Sequence, residues 1–213
     1  YNTAVGFDAL SANTEGSYNT AVGRLALDAN TTGITNTAVG HQALKTNTTG
    51  GYNTALGNSA LNNNIGSRNT AAGVYALMNN TTGEYNTAMG YEAGDVITTG
   101  SNNTIIGYQA DPSANNASNQ IVIGKGATGQ GDNYAVIGNA DVTRVYAAQD
   151  GAAVLYANAT INSSDMRLKD FIKPVNLGLQ FINKLNPVSY LKISKSQFKG
   201  EEENNETRYE SVS

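Results

Sequence analysis

Apolar residues in the first two thirds of the chain come in pairs closed by a glycine, and the pairs return at a fixed interval. YNTAVG at residue 1 returns as YNTAVG at 18, TNTAVG at 35, YNTALG at 52, RNTAAG at 68, YNTAMG at 85 and NNTIIG at 102. The closing glycines Gly6, Gly23, Gly40, Gly57, Gly73, Gly90 and Gly107 stand 17, 17, 17, 16, 17 and 17 residues apart. Two looser copies, QIVIG ending at Gly124 and YAVIG ending at Gly138, continue the series. A second small-large pair follows most of these glycines, at Ala9-Leu10, Ala26-Leu27, Ala43-Leu44, Ala60-Leu61 and Ala76-Leu77, and an N-T-T-G corner closes the unit. Helical repeats need more than about 30 residues, because two helices and their turns must fit. A 17-residue period therefore predicts an all-β, parallel β-solenoid of about nine coils over residues 1–140, each with two short strands and two turns. Glycine after the apolar pair and again in the corner suits positive φ or a close backbone approach. Asparagine at the corners tolerates the left-handed region and is suited to stacked side-chain ladders.

Ala and Val of N-T-A-V-G are neighbours on a strand, so they point to opposite faces. One lines the coil and the other needs cover from outside. The pattern thus predicts a homo-oligomer whose chains bury a second apolar face against one another.

Composition alone points elsewhere: 23 Gly, 29 Asn and 22 Thr fill about a third of the 213 residues, as in a low-complexity chain. The register turns these residues into corners and ladders. A formal net charge of -4 with 14% charged residues argues against a nucleic-acid surface or an anionic-membrane binder. Cysteine is absent and His41 is the single histidine, which leaves no disulfide framework, no Cys-based or His-based metal site and no His-centred triad within one chain. No cofactor or metal is expected. No apolar run approaches the ~20 residues of a membrane span, so no insertion is expected. The chain opens inside a repeat, as expected of a piece of something longer.

Charge marks a boundary. Residues 1–164 hold 5 Lys/Arg and 10 Asp/Glu, whereas residues 165–213 hold 8 and 7. Between repeats and boundary, 141–164 reads as a β-rich connector, two strands about the Gln149-Asp150-Gly151 turn signal. Residues 165–213 read as a short α+β segment: a helix capped by Asn176 with Leu177, Phe181 and Leu185 on one stripe, a stop at Pro187, and a strand over 188–191. The stripe reads foremost as core packing between subunits. The tail GEEENNETRYESVS reads as solvated and partly disordered.

The N-T-A-V-G-x-x-A-L coils resemble the head repeats of trimeric bacterial adhesins, which are left-handed parallel β-rolls, and similar repeats in phage and other viral fibres. The run Ser163-Ser164-Asp165-Met166-Arg167-Leu168-Lys169-Asp170, with L-x-x-I-x-x-L-x-P-V-x-Y downstream, resembles the start of the endosialidase-type intramolecular chaperone, peptidase family S74. That family sits at the ends of tail fibres and tailspikes, promotes trimerisation and cuts itself off. The resemblance implies a cut between Ser164 and Asp165, with Ser164 as nucleophile or cleavage-site serine and Lys169 in support. Such a lysine needs burial or a neighbouring positive charge, which Arg167 is able to supply. The plain alternative is that Ser164 or Asp165 begins a helical turn. The family's segment is longer and continues into a G-F-I-A-Q-E-V-like stretch, and nothing like it follows Tyr190.

The resemblance implies a phage tail-fibre or tailspike segment, located in the virion. Its expected partners are two further copies of itself, other fibre subunits and a host cell-surface receptor such as a glycan. A bacterial surface adhesin head is the alternative. Another is an ice-binding solenoid using the row Thr3, Thr20, Thr37, Thr54, Thr70, Thr87 and Thr104, although threonine also simply favours strands. Tyr1, Tyr18, Tyr52, Tyr85, Tyr91 and Tyr108 are placed to stack on sugars or, as the favoured reading, to act as spacers between coils. Asp8, Asp28, Glu84, Glu92 and Asp95 read as solvated corner residues rather than a glycosidase pair. The N-x-T sequons at Asn30, Asn47 and Asn80 follow from a repeat rich in Asn and Thr.

Overall fold

A computed structural model describes residues 1–145 of the chain. The β-branched and apolar residues between each motif asparagine and glycine form strands of three: β1 (Thr3–Val5), β2 (Thr20–Val22), β3 (Thr37–Val39), β4 (Thr54–Leu56), β5 (Thr70–Ala72), β6 (Thr87–Met89), β7 (Thr104–Ile106), β8 (Ile121–Ile123) and β9 (Ala135–Ile137). They pair in chain order as one parallel sheet. Register follows the repeat: Thr20 lies beside Thr37, Ala21 beside Ala38 and Val22 beside Val39. The same holds across the 16-residue coil, where Thr54 pairs with Thr70. The described residues form an all-β parallel solenoid of about eight turns, the architecture the period predicts with about one turn fewer than the nine coils expected. The connector from residue 146, the helix expected at Asn176 and the acidic tail lie outside the described residues.

Inside the coils the middle residue of each strand, Ala21, Ala38, Ala55, Ala71, Ala88, Ile105 or Val122, is fully buried. Opposite them stand Ala26 and Leu27, Ala43 and Leu44, Ala60 and Leu61, and Ala76 and Leu77, also fully buried. The second strand expected at these pairs is not formed. A strand would send Ala and Leu to opposite faces, whereas both are needed in one core. The backbone therefore takes successive turns: Leu25 and Leu27 have φ of 60° and 52°, Ala26 N–H donates to Gly23 O, and Asn30 N–H donates to Leu27 O. Links between coils continue through these turns, for example Leu27 N–H to the Ala43 carbonyl at 3.0 Å.

The two glycine positions differ. Gly23 has φ 134°, and a Cβ there would lie 2.5 Å from the Gly40 carbonyl oxygen. The corner Gly50 has no such φ; a Cβ there would run into the Gly66 and Ile65 carbonyl oxygens, so close stacking alone excludes a side chain. Nor do the corner asparagines take the left-handed region. That conformation falls to the residue before each motif asparagine, among them Tyr18, Thr35, Tyr52, Arg68 and Tyr85.

The asparagines turn inward instead and form two rows. In the motif row, Asn36 Nδ2 donates to Gly50 O at 2.9 Å while its Oδ1 accepts the Asn53 N–H at 3.0 Å. In the corner row, Asn30 Nδ2 donates to Asn13 Oδ1 and Asn47 Nδ2 to Asn30 Oδ1. Burying an amide is tolerable when its hydrogen bonds are made, and these rows make them once per coil. The short coil drops one corner residue, and Asn64 Oδ1 there accepts from both Asn69 Nδ2 and Asn80 Nδ2. The corner row then stops: Ile97 occupies the next position, and the buried Asn80 Oδ1 has no partner.

Candidate functional site

Strand alternation puts the first and third residue of every strand on the outer face of the sheet. The first position holds Thr in β1 to β7, then Ile121 and Ala135. The third runs Val5, Val22, Val39, Leu56, Ala72, Met89, Ile106, Ile123 and Ile137. None of these eighteen positions is charged. Val22 (36%), Val39 (39%), Leu56 (43%), Met89 (48%) and Ile137 (59%) are exposed, and Ala72 leaves a notch in the ridge. At about 4.8 Å per coil, the strip extends over roughly 38 Å. The third positions thus form an uncharged aliphatic ridge that runs beside the threonine column.

The columns beside the strip carry the charges and rings. On one side Tyr1 stacks on Tyr18 with centroids 5.8 Å apart, and the Arg68 guanidinium sits between Tyr52 and Tyr85, 5.6 and 5.2 Å from their centroids. On the other side Arg24 lies over Phe7, His41 is held between Arg24 and Asn58, and Tyr91 stacks on Tyr108 at 5.4 Å. The ring faces are thus turned along the solenoid axis toward the neighbouring coil, which favours the spacer role over sugar stacking. His41 takes part in a row between coils. The sequon residues Asn30, Asn47 and Asn80 are fully buried in the corner row, which closes them to glycan attachment in the folded chain.

The acids divide. Asp28 accepts the Ser11 hydroxyl at 2.5 Å between exposed side chains, and Glu92 accepts Gln109 Nε2 at 2.8 Å. Asp95 is held above the usual carboxylate range, first by burial and then by Glu92. Asp111 is the acid the motifs did not single out. Burial, then Asp95 and Glu92, push it up to about 6, against a hydrogen bond from the Val96 backbone N–H. Its signal lay in the register: the position 17 residues after each Ala-Leu leucine reads Leu10, Leu27, Leu44, Leu61, Leu77, Gly94, Asp111, with one step of 16.

Ser164, Asp165 and Lys169 lie outside the described residues. Among the described residues no group of three His, Cys, Asp or Glu is placed to hold a metal ion, and no helix is long and apolar enough to cross a membrane. A depression of about 420 Å³ near the last coils is lined by Gly126, Thr128, Gln130, Asn139 and neighbours, with no acid, base or histidine among them. Comparison with models of protein families, with curated proteins and with solved structures gives no match to the chain.

Proposed function

We propose that the chain is a structural and adhesive segment of a fibre of the phage tail-fibre type. Copies associate in parallel, as a trimer, through the outer face of the sheet, and the outward columns present a repetitive, weakly charged surface to a host-cell receptor. The observation that carries this reading is the uncharged aliphatic ridge along all nine strands. Several weak contacts made at once by three copies would give such a surface its avidity. The C-terminal run at Ser164, Asp165 and Lys169 supports the phage-type alternative over a bacterial adhesin head, through its resemblance to the self-cleaving chaperone. An ice-binding face would use the row Thr3 to Thr104, which is uniform over β1 to β7 before Ile121 and Ala135 replace it, and thermal hysteresis in solution would favour that second reading.

Sedimentation of the 213-residue chain tests the interface. Wild type sediments as a trimer, and Leu56→Lys with Met89→Lys sediments as a folded monomer, because two charges per copy have no partner on the strip. A wild-type monomer at all accessible concentrations would overturn the proposal. Intact mass of the full-length product, with Ser164→Ala beside wild type, tests the cleavage that the resemblance implies: a fragment beginning at Asp165 that vanishes in the variant supports it, and its absence from wild type, or its presence in both, counts against it.

A further inference from the structure

Five coils place a leucine at the position that Asp111 occupies in the seventh. Leu27, Leu44, Leu61 and Leu77 are fully buried there and Leu10 is packed against the same core. In the sixth coil the position is Gly94, in the left-handed region at φ 65°, and the side-chain space is taken by Ile97, which is fully buried. Asp111 keeps one bond of the leucine row, its N–H donating to Ala127 O at 2.9 Å, but it leaves the left-handed region that those leucines occupy and its carbonyl accepts Gly129 N–H at 2.8 Å. The residue is half-buried in that extended position. One of its oxygens, Oδ1, is buried with no hydrogen-bond partner.

The charged groups acting on it are Glu92 and Asp95, both from the preceding coil, and no lysine or arginine among the described residues enters the field. From the following coil Thr128, paired with Asp111 across a β-bridge, brings no charge. Glu92 is itself tied to Gln109, a neutral amide.

We propose that Asp111 is an acid-set latch on the C-terminal coils of the solenoid: protonated, it closes the wall between the sixth and eighth coils, and ionised, it loosens them. The proton supplies what the site lacks, removing the buried charge and the repulsion from Glu92 and Asp95 and giving the carboxyl a donor. The sign follows from linkage. A carboxyl whose folded-state pKa is raised binds its proton more tightly folded than unfolded, so its contribution is fully present below the ordinary aspartate range and is lost as pH rises through about 6. The coils from β1 to β4 have leucine at this position and lack the effect. The inference stands apart from the fibre reading, since it concerns the wall of one chain.

Hydrogen exchange on the full chain, read as protection factors corrected for intrinsic rates, tests it. Peptides covering 104–130 are expected to lose roughly tenfold in protection between pH 4.5 and 7.5, about a tenth of what an unscreened shift of two units would give. Peptides covering 20–60 stay level. Asp111→Asn holds the 104–130 protection level across the range, and Asp111→Leu, which restores the leucine row, does the same. Equal loss in both regions of wild type, no loss in either, or an unchanged loss in Asp111→Asn overturns the proposal.

Discussion

At the scale of the residue, the motif asparagine is the most demanding position in the repeat. Asn36 satisfies the Gly50 carbonyl and the Asn53 N–H with one side chain, in a site closed to water. Truncation leaves the buried Asn53 N–H unpaired, at about 1–3 kcal/mol, and takes one of two donors from the Gly50 carbonyl, which keeps Asn47 Nδ2 at 2.9 Å. Asn36→Ala is therefore expected to cost about 2 kcal/mol in chemical denaturation, and a cost below about 1 kcal/mol would show that water replaces the side chain. The sequence makes the recurrence of these asparagines plain, and it suggests ladders at the corners. It does not reveal that the motif asparagine also points inward, because inward-facing polar residues carry no periodic signal different from outward-facing ones. No local motif marks Asp111 for a related reason: its meaning depends on the leucines aligned with it in other coils.

At the scale of the element, one strand per coil is formed where two were expected. The pair Ala-Leu looks like the pair Ala-Val, and only the neighbouring coil distinguishes them: Val39 is left outside while Leu44 is closed in by left-handed turns. Those turns place non-glycine residues where L-amino acids are disfavoured by roughly 1–2 kcal/mol each. The position before the motif asparagine tolerates this best with asparagine, as at Asn102, Asn119 and Asn133, and worst with a β-branched residue, as at Thr35 with φ 57°. Thr35 is exposed, so little packing is at stake. Thr35→Asn is expected to raise stability by about 1 kcal/mol, read as a higher denaturant midpoint with an unchanged slope. A neutral or lower midpoint would mean that the threonine is held by contacts outside one chain.

At the scale of the whole molecule, each coil meets only the coils before and after it, since the strands pair in chain order. Stability in such a stack is close to a sum over coils and their junctions. Removing residues 41–57 joins Gly40 to Asn58 in register and deletes one coil. The shortened chain is expected to fold, with the same β spectrum by circular dichroism and a lower midpoint. Removing eight residues from the same place shifts every later side chain out of its column and is expected to abolish the cooperative transition. Equal behaviour of the two deletions would refute the additive picture. The solenoid was legible at this scale because the period is a property of the chain as a whole. Cover for its outer face was legible only as an expectation drawn from strand alternation.

Near-identical coils also create an ambiguity of the kind found on an unmarked ruler. A second chain laid along the sheet would find Thr and an aliphatic side chain at each step of about 4.8 Å from β1 to β7, and sliding by one step would change little. The coil of 16 residues between Gly57 and Gly73 is the graduation that differs. It carries Ala72, the smallest residue of the ridge, between the longer Leu56 and Met89, and sets Arg68 between two tyrosines beside it. In the parallel assembly proposed above, a notch flanked by two long side chains would fit only one alignment of like copies, so this short repeat would let an otherwise periodic surface tell position along its own axis.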